Sequence, residues 1–198
     1  MSEYDAGTAL VVVDCQNDFA DPEGSLYVEG AGDVLAEVNR QIIAAAAAGA
    51  PVVYTQDWHP ETTPHFQKDG GTWPVHCVKD TWGAEFHPRL IVVGRSVKKG
   101  SNGEDGYSGF TMRDPETGEE MPTELDSVLK SLNTRRVVVV GLALDYCVKA
   151  TALDASRLGY ATIVPEDCTA AVNLEPDDDD AALDELQEAG IDVREAMS

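Results

Sequence analysis

One cysteine stands where a buried strand is predicted to pass into a helix. The run Val137–Val140 with Gly141 predicts the strand, and a helical pattern with Cys147 near its start continues to Gly159. Unpaired N–H groups and the positive end of the dipole at a helix N-terminus stabilise a thiolate. Cys147 is therefore a candidate nucleophile. The alternative is a small buried apolar residue, which is what most free cysteines are.

A carboxylate follows the first predicted strand. Thr8–Val13 is an apolar run, and Asp14 comes directly after it. Ligands of parallel sheets bind beyond the carboxyl ends of the strands, so this position suits a catalytic base. Asn17 and Asp18 fit turn formation better, because their side chains readily bond to the nearby backbone.

A carboxylate and an imidazole follow the second predicted strand, Pro51–Gln56. Asp57 and His59 are two residues apart, so in an extended segment they point to the same side. Together they are half of a divalent metal site that His76 could complete, with His65 as a further candidate. Such mixed ligands suit Zn, Mn or Fe(II). An exposed Asp-x-His pair without a metal is the alternative, because such pairs are common on surfaces.

Two adjacent lysines, Lys98 and Lys99, precede a glycine-rich loop. At least one of them is expected to be solvated, because lysine is rarely buried. A lysine held between a thiolate and a carboxylate would lower the pKa of both. That arrangement activates a nucleophile without a histidine base.

Strand and helix patterns alternate around these residues. Helices are predicted at Asp33–Ala48, at about 123–132 and at about Asp178–Ala189, with further strands at Leu90–Gly94, Tyr160–Val164 and Ile191–Val193. Residues 98–120 are predicted to be mostly loop. This alternation predicts one α/β domain over residues 1–198, with a doubly wound, mainly parallel sheet and helices on both faces, a three-layer, Rossmann-like fold.

The composition narrows the class of protein. A formal net charge of −22 disfavours nucleic acid and anionic membranes as partners. Four cysteines without a predicted export signal do not suggest a disulfide framework, so a cytoplasmic location is expected. The acidic surface also suggests adaptation to a high-salt cytoplasm, in which case the melting temperature would rise between low salt and molar KCl.

Several motifs, taken in order, carry a resemblance to a known family. They are Val13-Asp14-Cys15-Gln16-Asn17-Asp18-Phe19, Asp57-Trp58-His59-Pro60, Thr72-Trp73-Pro74-Val75-His76-Cys77, Lys99-Gly100, Tyr107-Ser108-Gly109-Phe110 and Gly141-Leu142-Ala143-Leu144-Asp145-Tyr146-Cys147-Val148. Over nearly its whole length the chain resembles the isochorismatase-like cysteine hydrolases and, within them, the nicotinamidases. Asp-x-His together with His76 separates nicotinamidases from members without a metal.

The resemblance implies a role for each matching residue. The catalytic residues that it implies are Asp14 as general base and acid, Lys99, and Cys147 as nucleophile. The implied metal ligands are Asp57, His59 and His76, with His65 matching a position that reaches the metal in some members. The implied substrate-binding residues are Phe19, Trp73 and Tyr107. The implied oxyanion hole is formed by the N–H groups of Ala143, which would follow a cis peptide bond, and Cys147.

The implied activity is hydrolysis of nicotinamide to nicotinate and ammonia through a cysteine thioester, as part of NAD salvage. The implied cofactor is one divalent metal ion, with zinc favoured over manganese or iron. The partner is then a small molecule, and a homo-oligomer is compatible with the family. The alternatives are an amidase acting on carbamoyl or ureido compounds, a vinyl-ether hydrolase of the isochorismatase type, and a metal-binding or redox-sensing module in which Cys147 is oxidised.

Overall fold

Continuous runs of β-branched residues form the centre of the molecule. The computed structural model describes residues 4–196. Every residue of strand β1 (Thr8–Val13) is buried, as are all but the first of strand β6 (Arg136–Leu142). Such unbroken apolar strands are typical of a parallel sheet that is covered on both faces.

The remaining elements alternate along the chain. The other strands are β2 (Val52–Asp57), β3 (Arg95–Lys99), β4 (Thr111–Arg113), β5 (Glu120–Pro122), β7 (Ala161–Pro165), β8 (Thr169–Ala170) and β9 (Asp192–Arg194). The α-helices are α1 (Asn17–Ala20), α2 (Ala31–Ala47), α3 (Leu125–Ser131), α4 (Lys149–Arg157) and α5 (Asp178–Glu188). A π-helical turn, Leu144–Val148, leads into α4. No helix among residues 4–196 is both long enough and apolar enough to cross a membrane.

The strand order places a switch point in the middle of the sheet. The order is β3-β2-β1-β6-β7-β9, with β8 also paired to β6, and all of these pairs are parallel. From β1 the chain builds outwards through β2 to β3 and then returns to place β6 on the other side of β1. The carboxyl ends of β1 and β6 therefore border the crevice where such sheets bind ligands.

Helices cover the two faces of the sheet. Alternate residues of β1 point to opposite faces: Leu10 and Val12 lie in one apolar cluster, and Val11 and Val13 lie in the other. Helix α2 packs on the first face through its buried stripe, which includes Leu35, Val38 and Ile42. Helices α3, α4 and α5 supply buried residues to the second face. The predicted three-layer α/β fold is therefore confirmed.

The predicted strand at Leu90–Gly94 is wrong. That segment lies beside α2, where the Asn39 side chain accepts a hydrogen bond from the Ile91 N–H. The strand that pairs with β2 is β3, which begins at Arg95 and contains two lysines. An edge strand has one neighbour and needs less apolar surface, so the more apolar segment next to it was a misleading signal.

The region predicted as mostly loop, residues 98–120, is more ordered than expected. Strands β4 and β5 form an antiparallel hairpin. Asp114 closes the connection between them, because its carboxylate accepts hydrogen bonds from the N–H groups of Glu116 and Thr117. The side-chain-to-backbone turn at Asp114 needs no apolar pattern, which is why hydrophobic periodicity did not reveal the hairpin.

Candidate active site

Four neighbouring strands each deliver one polar side chain to the same edge of the sheet. Lys99 is the last residue of β3 and Asp57 the last residue of β2, and the two are partners in the strand register. Asp14 follows β1 directly, and Cys147 lies in the π-helical turn after β6. The parallel sheet therefore brings together residues that are far apart in the sequence.

Lys99 lies at the centre of this group. Its Nζ is 3.0 Å from an Asp14 carboxylate oxygen and 3.7 Å from the Cys147 Sγ, and it donates a hydrogen bond to Asp57. The Lys99 side chain is 2% exposed and the Asp14 side chain is 0% exposed. The hydroxyl of Thr55 donates to the other Asp14 oxygen at 2.7 Å. Asp14, Lys99 and Cys147 therefore form one buried, charged cluster.

Burial has the largest effect on the pKa values of Asp14 and Cys147. It raises the pKa of the Cys147 thiol well above its ordinary value, and Lys99 offsets only part of that rise. Burial also raises the pKa of Asp14. Lys99 lowers both pKa values, as predicted, but both rise overall because the cost of desolvating a buried anion exceeds the attraction of one ammonium group.

The opposite balance holds for Lys99 and Asp57. Burial opposes the charge on Lys99, but Asp14 and Asp57 together hold its pKa well above the ordinary value. Burial likewise opposes the charge on Asp57, but Lys99, His59 and His76 hold its pKa well below the usual range. The directions of these shifts favour an ion pair between Lys99 and Asp57, and they favour the protonated forms of Asp14 and Cys147.

Three histidines gather beside this cluster. His59, His65 and His76 each present a ring nitrogen within 4.8 Å of the others. The second oxygen of Asp57 is 3.7 Å from His59 Nε2 and 3.8 Å from His76 Nε2. Asp57 therefore contacts Lys99 with one oxygen and faces the histidines with the other.

The hydrogen bonds of the histidines leave lone pairs for a cation. His76 Nδ1 is 2.8 Å from the Pro74 carbonyl, and His65 Nδ1 is 2.8 Å from an Asp105 carboxylate oxygen. Both partners only accept hydrogen bonds, so each Nδ1 carries the hydrogen and each Nε2 keeps a lone pair. Fixing a histidine tautomer in this way is typical of metal ligands.

His59 is the clearest sign that the residues fit a metal. Both of its ring nitrogens are buried, and neither has a hydrogen-bond partner among residues 4–196. Burial lowers its pKa, which favours the neutral imidazole that a metal requires. Gly100, at a φ of +77°, packs on this ring so closely that a Cβ there would lie 2.7 Å from His59 Nδ1. Three imidazoles and one carboxylate are a donor set suited to zinc.

A pocket with aromatic walls lies between the histidines and the thiol. Trp73 and Tyr146 are packed edge to face, with ring centroids 4.9 Å apart, and the Trp73 Nε1–H donates to the Tyr107 hydroxyl at 3.1 Å. Phe19 lies against His76 at 5.4 Å. The pocket lining also includes Leu26, Asp57, His65, Leu142, Ala143, Cys147 and Val172. A flat ring bound here would touch aromatic walls, the histidine cluster and the thiol.

The backbone before Cys147 has an unusual form. The Leu142–Ala143 peptide bond is cis, as the resemblance implies. The Ala143 carbonyl accepts hydrogen bonds from the N–H groups of Tyr146 and Val148, at 3.2 and 3.0 Å. These donors lie on either side of Cys147 in the sequence. The π-helical turn thus passes over the bond that an α-helix would form from the Cys147 N–H to this carbonyl.

Comparison with known proteins now assigns the family. A model of the isochorismatase domain matches residues 8–198. The chain belongs to the isochorismatase family. Its parallel sheet, with the polar cluster at the switch point, is therefore the fold of that family.

Individual relatives in the isochorismatase family are similar over most of their length. A nicotinamidase/pyrazinamidase of Mycobacterium tuberculosis is 40% identical, over 93% of this chain and 97% of the relative. A nicotinamidase of Escherichia coli is 36% identical, over 92% of each chain. The solved structure of a pyrazinamidase of Pyrococcus horikoshii in complex with zinc superposes with a TM-score of 0.85 at 36% identity, covering 96% of this chain and 99% of the other.

A relative with a different activity also matches this isochorismatase-family chain. A ureidoacrylate amidohydrolase of Pseudomonas syringae is 32% identical, over 82% of this chain and 70% of the relative. The identity and the coverage are both lower than for the Mycobacterium protein.

The two adjacent lysines have different environments in the structure. Lys98 is exposed, and its Nζ lies 3.2 Å from the ring centroid of Trp58, whereas Lys99 is buried in the site.

The prediction that Asn17 and Asp18 form local turns is wrong. The Asn17 amide donates to the Trp82 carbonyl at 2.7 Å, and Asp18 accepts from the Cys77 N–H at 2.7 Å. Buried polar groups take the partners that tertiary packing offers, and here these are distant loops.

Four residues of this isochorismatase-family site were not predicted from the sequence. They are Gln16, Thr55, Asp105 and Tyr146. Gln16 clamps the Asp57 backbone, accepting from its N–H at 2.8 Å and donating to its carbonyl at 2.7 Å. Thr55 could have been found, because it lies two residues before Asp57 and so points to the same side of the strand. Tyr146 directly precedes Cys147 in a recognised motif, whereas nothing in the sequence connects Asp105 to a histidine 40 residues away.

Proposed function

We propose that this protein hydrolyses nicotinamide to nicotinate and ammonia. The observation that carries the proposal is the pocket itself, in which the Cys147 thiol and the histidine cluster border one small cavity with aromatic walls. An aromatic ring with a ring nitrogen at one end and a carboxamide at the other matches that distribution of groups. The nicotinamidases among the relatives support the same substrate.

The proposed chemistry begins with a proton transfer from Cys147 to Asp14. Asp14 accepts the proton of the Cys147 thiol as the sulfur attacks the carboxamide carbon and a carbon–sulfur bond forms. Lys99 remains charged throughout and stabilises both anions. When the carbon–nitrogen bond breaks, Asp14 returns the proton to the departing nitrogen, and ammonia leaves.

Water then completes the proposed cycle. Asp14 accepts a proton from a water molecule, whose oxygen attacks the thioester carbon. The carbon–sulfur bond breaks and Asp14 returns that proton to the sulfur, while the second proton of the water is lost to solvent as nicotinate is released. A proton transfer by a positioned side chain of this kind contributes about 10²–10⁴-fold to a rate.

The backbone supports the developing negative charge on the carboxamide oxygen. We propose that the N–H groups of Ala143 and Cys147 form the oxyanion hole. The absence of a Cys147 contribution to the hydrogen bonds at the Ala143 carbonyl supports this role. Two preorganised backbone donors act most strongly where water is excluded, as in this buried turn.

The remaining residues hold the substrate ring. Phe19, Trp73 and Tyr107 would form the walls on which the ring packs. Asp57, His59 and His76, with His65, would hold one divalent metal ion, and we propose zinc, which the Pyrococcus relative binds. When bound, the ion supplies a Lewis acid for the pyridine nitrogen and so fixes the orientation of the ring.

The reaction and the sequence suggest a cellular setting. We propose that the whole chain, residues 1–198, is one hydrolase domain that acts in NAD salvage in the cytoplasm. Its partner is then a small molecule, which agrees with the strongly acidic charge of the chain.

The second candidate is an amidase acting on ureido compounds, because a ureidoacrylate amidohydrolase is among the relatives. Ammonia release from purified, zinc-loaded protein separates the two. We expect a kcat/KM for nicotinamide that exceeds the value for ureidoacrylate by at least about 100-fold, which corresponds to about 2.7 kcal/mol of transition-state stabilisation. Equal or reversed values would overturn the proposal.

A further inference from the structure

Asp105 is a charged residue beside the site with no role in the chemistry proposed above. Its Oδ1 accepts a hydrogen bond from His65 Nδ1 at 2.8 Å and from the Gly106 N–H at 2.8 Å. Its side chain is 31% exposed, whereas that of His65 is 7% exposed. Asp105 therefore reaches from the surface to the outer side of a buried imidazole.

The position of Asp105 is fixed by the hairpin beside it. Its N–H and carbonyl both pair with the backbone of Arg113 in β4. Its Oδ2 also lies 3.5 Å from Arg113 Nη2. The backbone pairing and the ion pair with Arg113 therefore both hold the Asp105 carboxylate in place.

The segment 100–106, which ends with Asp105 and Gly106, packs along the outer side of the histidine cluster. Gly100 at its start lies against the ring of His59, and the Gly103 carbonyl accepts a hydrogen bond from the Thr63 hydroxyl at 3.2 Å. This segment therefore contacts two of the three histidines directly, His59 through Gly100 and His65 through Asp105.

The histidines differ in what supports them. His76 donates its Nδ1–H to a neutral carbonyl only two residues away, so local backbone sets its orientation. His65 donates to a carboxylate 40 residues away. A carboxylate partner fixes the tautomer of a metal-binding histidine and raises its basicity, and loss of such a partner costs about 10- to 100-fold in metal affinity.

We infer that Asp105 is a positioning residue that holds His65 as the fourth protein ligand of the metal centre. The inference rests on the metal centre in the proposed function and deepens it. In this interpretation, the glycine-rich segment after Lys99 positions the Asp105 carboxylate, which in turn orients the fourth ligand, His65. Without Asp105, His65 could rotate or take the other tautomer, and the site would keep three protein ligands.

The test measures zinc affinity by chelator competition in Asp105→Ala, Asp105→Asn and the unaltered protein. Asp105→Ala should weaken zinc binding by about 10- to 100-fold. Asp105→Asn keeps an acceptor for the His65 Nδ1–H and should lose less. Glu119→Gln, which removes one negative charge from an exposed position of the same hairpin, should bind zinc as the unaltered protein does.

A double variant shows whether Asp105 acts through His65. If it does, His65→Ala with Asp105→Ala should bind zinc no more weakly than His65→Ala alone. Additive losses would mean that Asp105 supports the loop or Gly100 and not His65, and would overturn the inference. Cobalt in place of zinc gives a second readout, because its visible absorption intensity reports the coordination number and should change in Asp105→Ala.

Failure of the inference differs from failure of the proposed function. If the unaltered protein binds no zinc or cobalt, the proposed metal centre is wrong and the inference falls with it. If the unaltered protein binds zinc tightly and Asp105→Ala binds it equally well, only the inference is wrong.

Discussion

Two polar clusters lie side by side in this molecule, and they are built differently. Asp14 and Lys99 stand at strand ends, and Cys147 lies in the turn after β6, so the parallel sheet largely sets their spacing. All three histidines lie on the irregular segment between β2 and β3, and two of them are oriented by hydrogen bonds to Pro74 and Asp105. Asp57 belongs to both clusters, with one oxygen facing each.

The two clusters should therefore be sensitive to different kinds of substitution. The strand register fixes the positions of Asp14 and Lys99, so the first cluster should lose its function when a substitution alters its charge balance and not when it alters its geometry. Loop-borne ligands need fixed orientations, so the second cluster should fail when a supporting hydrogen bond is lost. Because Asp57 is shared, a change that affects both clusters at once would argue that they are one unit.

Removal of the thiol should have the largest effect and should be confined to the first cluster. We expect Cys147→Ala to lower kcat for nicotinamide by at least about 1,000-fold, because Cys147 supplies the thiol of the pocket lining that would form the acyl intermediate. Zinc stoichiometry should be unchanged. Cys168→Ala, a buried cysteine after β7, is the matched control and should retain the rate. Ammonia release by Cys147→Ala at the full rate would eliminate the thioester mechanism.

Loss of the central charge should appear in stability. Lys99→Met leaves two buried carboxylates without their cation, so the free energy of unfolding in urea should fall by about 3–5 kcal/mol. Lys98→Met, at the next residue, loses only an exposed contact with Trp58, which is worth about 0.5–1 kcal/mol. Similar losses for the two variants would show that Lys99 is not the charge that balances the cluster.

Loss of a histidine should affect substrate binding while leaving the thiol reactive. We expect His76→Ala, or removal of metal by a chelator, to raise KM for nicotinamide by about 10- to 100-fold, because the ring loses the group that orients it. Alkylation of Cys147 by iodoacetamide should proceed at nearly the original rate. Unchanged KM after verified metal loss would mean that the histidine cluster does not bind the substrate.

The smallest expected effect is a pH dependence at Asp105. The hydrogen bond from His65 lowers the pKa of Asp105 to about 2, below its ordinary value. A depressed carboxyl pKa stabilises the fold above the unfolded pKa of about 4, and this contribution disappears as the pH falls towards 2. In metal-free protein, the difference in unfolding free energy between the unaltered chain and Asp105→Asn should therefore shrink from pH 5 to pH 3. A constant or growing difference would contradict the assignment.

The sequence predicted the scaffold well where hydrophobic patterns are strong. The strands β1, β2 and β6 and the helix α2 were expected within a few residues of their observed bounds, because buried parallel strands and an amphipathic helix leave clear apolar patterns. The sequence did not predict β3. This edge strand contains two lysines and follows the more apolar segment Leu90–Gly94, which was predicted as the strand instead.

The candidate site could be predicted in part for the same reason. Polar residues at or directly after the ends of apolar strands, such as Asp57 and Asp14, can be recognised because strand ends mark the binding edge of the sheet. The sequence alone did not decide between Lys98 and Lys99; burial in the fold decides it. Asp105 could not be predicted, because its contact with His65 depends on the tertiary path of a glycine-rich loop. The catalytic roles themselves remain predictions.

Rapid acid quenching followed by mass spectrometry of peptides can detect the proposed thioester on Cys147. Protein mixed with excess nicotinamide and quenched within one turnover should carry a nicotinoyl group on the peptide that contains Cys147, and Asp14→Asn should carry much less. A nicotinamide-hydrolysing protein with no such adduct at any quench time, or with the adduct on another cysteine, would contradict the account.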